Sequence, residues 1–273
     1  QTFDSWVRHL PITYSHYLFM PAHVQSRHAK EVLWEELKCF KQSLEDWTGG
    51  SISNQALDEA IEVYNTNRRL LKQVYDLRKN DPPMISGTEA MEVVLSSMFM
   101  DKKEHSRLLQ QALEELPKRE TYREGQIRLM FIGGANDDVE FMRMTEELGS
   151  DVVIEEHCTG SRSFWCEIAP EEDRLSAIAA CYINKPPCPQ KDLIERKRFA
   201  YLLDLLKDYN VQGAVIIQQK FCDPHEFDIP PIRSLMESNG IPVLFLEFDL
   251  TVPAGQFRTR IEAFLEMLHT QMV

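Results

Sequence analysis

The run Gly213-Ala214-Val215-Ile216-Ile217 passes without a break into Gln218-Gln219-Lys220-Phe221-Cys222-Asp223-Pro224-His225-Glu226. A short, continuously apolar stretch rich in branched residues reads as a strand buried on both faces, as in a parallel sheet. Beyond the carboxyl end of such a strand lies the crevice where open α/β sheets bind their ligands. Here that position carries a thiol, an imidazole, an ammonium group and carboxylates. A second segment repeats the arrangement: Val152-Val153-Ile154-Glu155-Glu156 runs into His157-Cys158-Thr159-Gly160-Ser161-Arg162. Two strands of one sheet are therefore expected to bring Cys158 and Cys222 to the same edge.

Outward from these two segments the alternation continues. Ile127-Arg128-Leu129-Met130-Phe131-Ile132 reads as a strand, and Gly133-Gly134-Ala135-Asn136-Asp137 turns into a helix over 138–148. Strands follow at 151–155, 213–217 and 243–247, with helices near 172–183, 191–208, 230–238 and 255–269. Strands alternating with helices predict an α/β fold with a parallel, doubly wound sheet of the Rossmann-like or flavodoxin-like kind. Before Gly125 the apolar residues recur at helical spacing instead. Helices are expected over 26–47 and 54–77, a third opened by the capping box Ser86-Gly87-Thr88-Glu89, and a fourth over 103–116. The chain thus divides into a mainly helical region, 1–125, and an α/β domain, 126–273. Residues 1–20, rich in aromatic side chains (Trp6, Tyr14, Tyr17, Phe19), read as a segment that packs against other structure.

Composition narrows the function. With 43% hydrophobic and 27% charged residues, the 273-residue chain is globular and large enough for two lobes. A net charge of −13 and no basic cluster argue against a nucleic-acid surface. No apolar run reaches the roughly 18–20 residues of a membrane span, and no basic and apolar leader opens the chain, so a cytoplasmic protein is expected. In that setting the six cysteines (39, 158, 166, 181, 188 and 222) read as thiols or ligands rather than as a disulfide framework.

The Gly133-Gly134 turn matches neither the dinucleotide fingerprint nor the P-loop, and Asp137 and Asp138 would repel a phosphate there. It reads as a tight structural turn, and ATP or a dinucleotide is not an expected ligand of this chain. No C-x-x-C pair occurs, which removes zinc-ribbon and thioredoxin readings. Cys39 and Cys181, on apolar helical faces, read as packed thiols. Cys188, between prolines, fits either a packed thiol or a ligand. Cys158 and Cys222 each end a strand beside groups that tune a thiolate: His157 and Arg162 for one, Lys220 and His225 for the other.

Four ordered segments carry a resemblance: 151–165 (DVVIEEHCTGSRSFW), 185–192 (KPPCPQKD), 218–226 (QQKFCDPHE) and 258–266 (RTRIEAFLE). Together they resemble the benzoyl-CoA reductase and 2-hydroxyacyl-CoA dehydratase family, and within it most a catalytic-core subunit of the ATP-dependent benzoyl-CoA reductases. Asn67-Arg68-Arg69-Leu70-Leu71 and Pro83-Met84-Ile85-Ser86-Gly87 extend the resemblance into the helical region.

The resemblance implies an iron–sulfur core subunit, paired with a second core subunit and supplied with electrons by a separate ATP-hydrolysing activator. Its substrate would be an aryl-CoA or another acyl-CoA thioester, which the reductases reduce at the ring and the dehydratases relieve of water. It implies Cys222 as the first ligand of a [4Fe–4S] cluster, with Cys158 beside it. His225 and Lys220 become candidates for proton transfer, and Arg162 and Gln219 for substrate contact. Family subunits begin with a further α/β lobe carrying more cluster cysteines, and nothing in these 273 residues corresponds to it. Three readings stay open: a reductase core subunit, a dehydratase subunit, and a scaffold-like relative without an active site.

Overall fold

The structure is a computed structural model that describes residues 2–119, 126–186, 188–191, 196–249 and 254–272. The chain separates into two compact units, one of residues 1–62 with 168–185 and one of 63–167 with 186–273.

In the first unit a short helix, α1 (Thr2–His9), leads into an extended segment that lies against α2 (Ala29–Thr48). Tyr14 stacks on Trp47 with ring centroids 4.6 Å apart, and the Phe19 N–H donates to Glu36 Oε2 at 3.1 Å. Of the aromatic start of the chain, Tyr14 packs on α2, while Trp6, Tyr17 and Phe19 are exposed. Gly49, in the left-handed region at φ 70°, closes that helix, and its N–H reaches back to the Glu45 carbonyl. The next helix, α3 (Asn54–Asp76), starts in this unit and ends in the second.

The second unit adds α4 (Gly87–Phe99) and α5 (Lys102–Glu115) and then the sheet: β1 (Ile127–Gly133), α6 (Val139–Glu147) and β2 (Ser150–Glu156). After α7 (Arg174–Asn184), which belongs to the first unit, come α8 (Lys197–Asp208), β3 (Gly213–Gln219), α9 (Asp223–Ser238), β4 (Val243–Phe248) and α10 (Ala254–Met272). Residues 192–195, part of the helix expected from 191, lie outside the described residues. The capping box forms as expected: Glu89 N–H donates to Ser86 Oγ at 3.1 Å, and Ser86 N–H donates to Glu89 Oε2 at 3.0 Å. A second carboxylate serves the same helix end, because buried Glu146 accepts from the Gly87 and Thr88 N–H groups at 2.7 and 3.0 Å.

All strand pairings are parallel, in the order β2-β1-β3-β4. One face of the sheet (Met130, Ile132, Val153, Ala214, Ile216) packs on α3, α4, α8 and α9. The other (Leu129, Phe131, Val152, Val215, Ile217) packs on α6 and α10. Both faces are covered, which is why the strands read as unbroken apolar runs. The order also locates a switch point. From β1 the chain moves outward to β2 and then returns to the other side of β1 to lay down β3, so the crevice opens between the carboxyl ends of β1 and β3.

One helix departs from expectation. Instead of starting near Pro230, α9 begins at Asp223 and carries Pro230 and Pro231 inside it. Pro224 occupies the first turn, where its missing N–H costs nothing, and it starts the helix earlier than the later prolines suggest.

Candidate functional site at the carboxyl edge of the sheet

The loops after β1, β2 and β3 meet at the switch point. Gly133 must be glycine, since a Cβ there would stand 2.6 Å from the Ile217 carbonyl oxygen of the neighbouring strand. Gly134 follows with room to spare: a Cβ there would meet Gln219 Cβ at 3.6 Å and Cys222 Sγ at 3.8 Å. On the β2 side, Cys158 N–H donates to the Gly134 carbonyl at 3.0 Å. Cys158 and Cys222 thus touch Gly134 from its two flanks, with Gln219 beside Cys222. The two strands that carry them are separated only by β1, roughly two strand spacings of 4.8 Å.

Both cysteines are free thiols, as are Cys39 and Cys188. Cys166 and Cys181, by contrast, are disulfide-bonded, which corrects the expectation of six unpaired cysteines and of Cys181 as a packed thiol. The Cys158 thiol is held above its ordinary pKa, first by desolvation of the sulfur and then by the negative charge that Cys188, Glu156 and Cys222 would add, with Arg162 opposing. Cys188 therefore lies within electrostatic reach of this edge, just ahead of a short 3-10 turn, Pro189–Lys191. Among the described residues no three His, Cys, Asp or Glu side chains converge tightly enough to hold a single metal ion.

Arg162 is buried at the centre of the edge. Its Nη2 donates to the Gly133 carbonyl at 2.5 Å and to Cys158 Sγ at 3.5 Å, and its Nε lies 3.2 Å from Glu156 Oε1. Its Nη1 has no hydrogen-bond partner among the described residues. Behind it stands a ladder of buried ions: Arg198 bonds Glu156 Oε2 at 2.5 Å and Asp228 Oδ2 at 2.6 Å, and Arg196 bonds Asp228 Oδ1 at 2.6 Å. Burial pulls the Arg198 pKa down, but Glu156 and Asp228 together hold it above its ordinary value. Arg162, Arg198 and Arg196 thus share the buried carboxylates of Glu156 and Asp228. A parallel cluster on the adjacent residue of β2 joins Glu155 to Tyr75 and, at 2.6 Å, to Arg78. Burial pushes the Glu155 carboxyl well up and the Arg78 guanidinium down to about 10.

Two buried imidazoles complete the edge, His157 after β2 and His225 in the first turn of α9. Burial, assisted by the neighbouring guanidinium groups, pushes each pKa down to about 3, so both rings are neutral at physiological pH. Neither Nε2 has a hydrogen-bond partner among the described residues. Lys220 faces elsewhere: its ammonium sits 2.8 Å from Asp249, which holds its pKa up, and 3.9 Å from Glu247. Phe221, between Lys220 and Cys222, adopts a left-handed backbone at φ 68° with its ring 90% exposed. A bulky residue with positive φ is a strained position, and strain of this kind gathers at functional turns.

Of the residues singled out in the sequence, Cys158, Cys222, Arg162, Gln219 and His225 gather at the edge, while Lys220 is engaged with carboxylates of the β4 end. Sequence reasoning missed Gly134, Gln218, Glu156, Arg198 and Asp228. The doubled glutamine marks one of them; the three ions lie far apart in the chain and left no spacing signal.

Fold and edge together define a doubly wound α/β protein that presents thiols beside a buried ion cluster. The chain matches the family described as 2-hydroxyglutaryl-CoA dehydratase, D-component, over residues 1–268, and it belongs to that family. It is 27% identical over 263 residues to the (R)-phenyllactyl-CoA dehydratase beta subunit of Clostridium sporogenes, covering 96% of this chain and 68% of that protein. It is 24% identical to the (R)-2-hydroxyglutaryl-CoA dehydratase beta subunit of Acidaminococcus fermentans, covering 92% and 68%. To a benzoyl-CoA reductase subunit of Thauera aromatica it is 21% identical, covering 93% and 66%. These relatives are subunits of acyl-CoA dehydratases and of a reductase. No helix among the described residues is long and apolar enough to cross a membrane.

Proposed function

We propose that the chain is a redox-cofactor-bearing subunit of an acyl-CoA dehydratase. The observation that carries this reading is the pair of free thiols, Cys158 and Cys222, on the two flanks of Gly134 at the switch point. The residues present fit part of the ligand set of a [4Fe–4S] cluster. Thiolates are its usual ligands, and the Arg162 guanidinium, 3.5 Å from Cys158 Sγ, suits a group of negative charge. Cys222 and Cys158 would hold it, with Cys188 within electrostatic reach, so these residues supply part of a four-thiolate set. Such a cluster, when bound, supplies single electrons at low potential.

The remaining chemistry belongs to side chains. Arg162, fixed by Glu156 and the Gly133 carbonyl, offers a preorganised positive charge where negative charge develops on a thioester carbonyl. Gln219, beside Cys222, offers an amide for substrate contact. His225, neutral and buried, accepts or returns a proton. Lys220, paired with Asp249, steadies the strand end behind Cys222. A second core subunit and an ATP-hydrolysing activator are the partners that this reading requires. The dehydratase reading is preferred because the relatives of higher identity above carry that name. The benzoyl-CoA reductase reading stands second, supported by the relative at 21% identity.

Purification of the anaerobic complex and incubation with activator and ATP test the proposal. Loss of water from a 2-hydroxyacyl-CoA supports it. Ring reduction of benzoyl-CoA with no dehydration would install the second reading, and turnover of neither thioester would leave the scaffold.

A further inference from the structure

His225 and Gln218 are linked in a way that fixes which ring nitrogen carries the proton. The Gln218 amide nitrogen donates to two backbone carbonyls, Gln219 O at 2.8 Å and Cys222 O at 3.2 Å. Turning the amide over would set its oxygen against both carbonyl oxygens, so the orientation is determined by the network. The other end of the amide, Oε1, then lies 2.8 Å from His225 Nδ1. An amide oxygen only accepts, so Nδ1 carries the hydrogen and donates it. The neutral ring has one N–H, and Nε2 is left as a bare lone pair. That nitrogen is buried, on a residue 1% exposed, and has no partner among the described residues. A buried acceptor left unpaired loses its hydration without a replacement and calls for an explanation.

The arrangement is not a general property of buried histidines in this chain. His105, in α5, accepts at Nδ1 from Asn67 Nδ2 at 2.8 Å. Its Nε2 lies 3.1 Å from Ser96 Oγ, whose single hydrogen goes to the Val93 carbonyl at 2.8 Å, so Nε2 is the donor there. His105 is satisfied at both nitrogens. His225 is satisfied at one.

We propose that Gln218 is a positioning residue that fixes His225 as the Nδ1–H tautomer. The amide pins Nδ1–H, presents Nε2 as the basic atom, and ties that ring to the Cys222 turn through the bond to the Cys222 carbonyl. This deepens the dehydratase reading and rests on it.

Long-range 1H–15N spectra of the chain with 15N-labelled histidine, at neutral pH and without substrate, cofactor or partner, read the tautomer directly. His225→Gln identifies the resonance by its loss. The expected spectrum has Nδ1 protonated and Nε2 bare as a single species; an Nε2–H tautomer in the unaltered chain overturns the proposal without any variant. Gln218→Met, close in shape and without amide atoms, is expected to lose the single Nδ1–H species and give a mixture. Gln218→Glu keeps an acceptor opposite Nδ1 and is expected to restore the Nδ1 proton. A folded Gln218→Met chain with the tautomer unchanged would show that Gln218 has no such role. Because the readout needs no turnover, failure of the dehydratase reading in the assay above and failure of the tautomer are separate results.

Discussion

Arg198 Nη2 bonds Glu156 Oε2 at 2.5 Å, and both side chains are wholly shielded from solvent. That contact joins α8 to the end of β2 and, through Glu156, holds Arg162 beside the Cys158 sulfur. The edge is therefore built from charges that cannot relax into water if one is lost. Arg198→Met should destabilise the chain by about 3–5 kcal/mol, because it strands Glu156 and Asp228 in the interior. Urea unfolding measures it, and a cost below about 1 kcal/mol would show the ladder to be solvated.

The two glycines after β1 should respond in opposite ways. In Gly133→Ala the new methyl would meet the Ile217 backbone oxygen at 2.6 Å, and a backbone atom in a sheet does not yield. A loss of about 1–3 kcal/mol is expected. Gly134→Ala places its methyl in ordinary contact with Cys222 Sγ and Gln219 Cβ, so stability should be unchanged. The same methyl stands 3.8 Å from Cys222 Sγ, and cofactor retention by the complex should fall. Equal unfolding midpoints for the two variants would contradict the packing described at this edge.

Much of this architecture is visible in the chain because local signals and the global fold agree. The strands are apolar throughout since both sheet faces are covered, and Ser86 and Glu89 announce a helix start that forms as written. The thiols at 158 and 222 are legible from their positions after strands. The switch point is not, since strand order depends on which edge each crossover takes. Nor is the ion ladder, whose Glu156, Arg198 and Asp228 lie 42 and 30 positions apart on separate elements. The start of α9 is misread because Pro230 and Pro231 resemble a first turn more strongly than Pro224 does.

His105 makes stability depend on pH at a distance from the thiols. Burial, with Lys102 nearby, holds its pKa below the ordinary 6.5, and protonation would add a hydrogen at Nδ1, facing the Asn67 amide donor. A histidine whose folded-state pKa is depressed contributes stability that is present above the unfolded pKa. That contribution is lost as pH falls through the lower folded value. The chain should weaken as pH falls below about 6.5, and His105→Gln, which does not titrate, should flatten the slope of the urea midpoint there. Identical slopes in the two proteins would remove His105 from the account.

Cys222 carries the largest functional stake. It caps α9, follows the strained Phe221, and lies across Gly134 from Cys158. If its sulfur ligates iron, Cys222→Ser exchanges a soft thiolate for a hard, poorly ionised hydroxyl, and the complex should lose most of its iron and acid-labile sulfide when assayed without oxygen. Lys220→Ala should have a small effect, since that ammonium is engaged with Asp249 2.8 Å away. Cys39→Ser is the control: an exposed free thiol on α2 that should leave the iron content alone. Full iron and full turnover in the Cys222→Ser complex would mean that the sulfur only packs against the Gly134 turn, and the cluster would then have to be sought on other thiols.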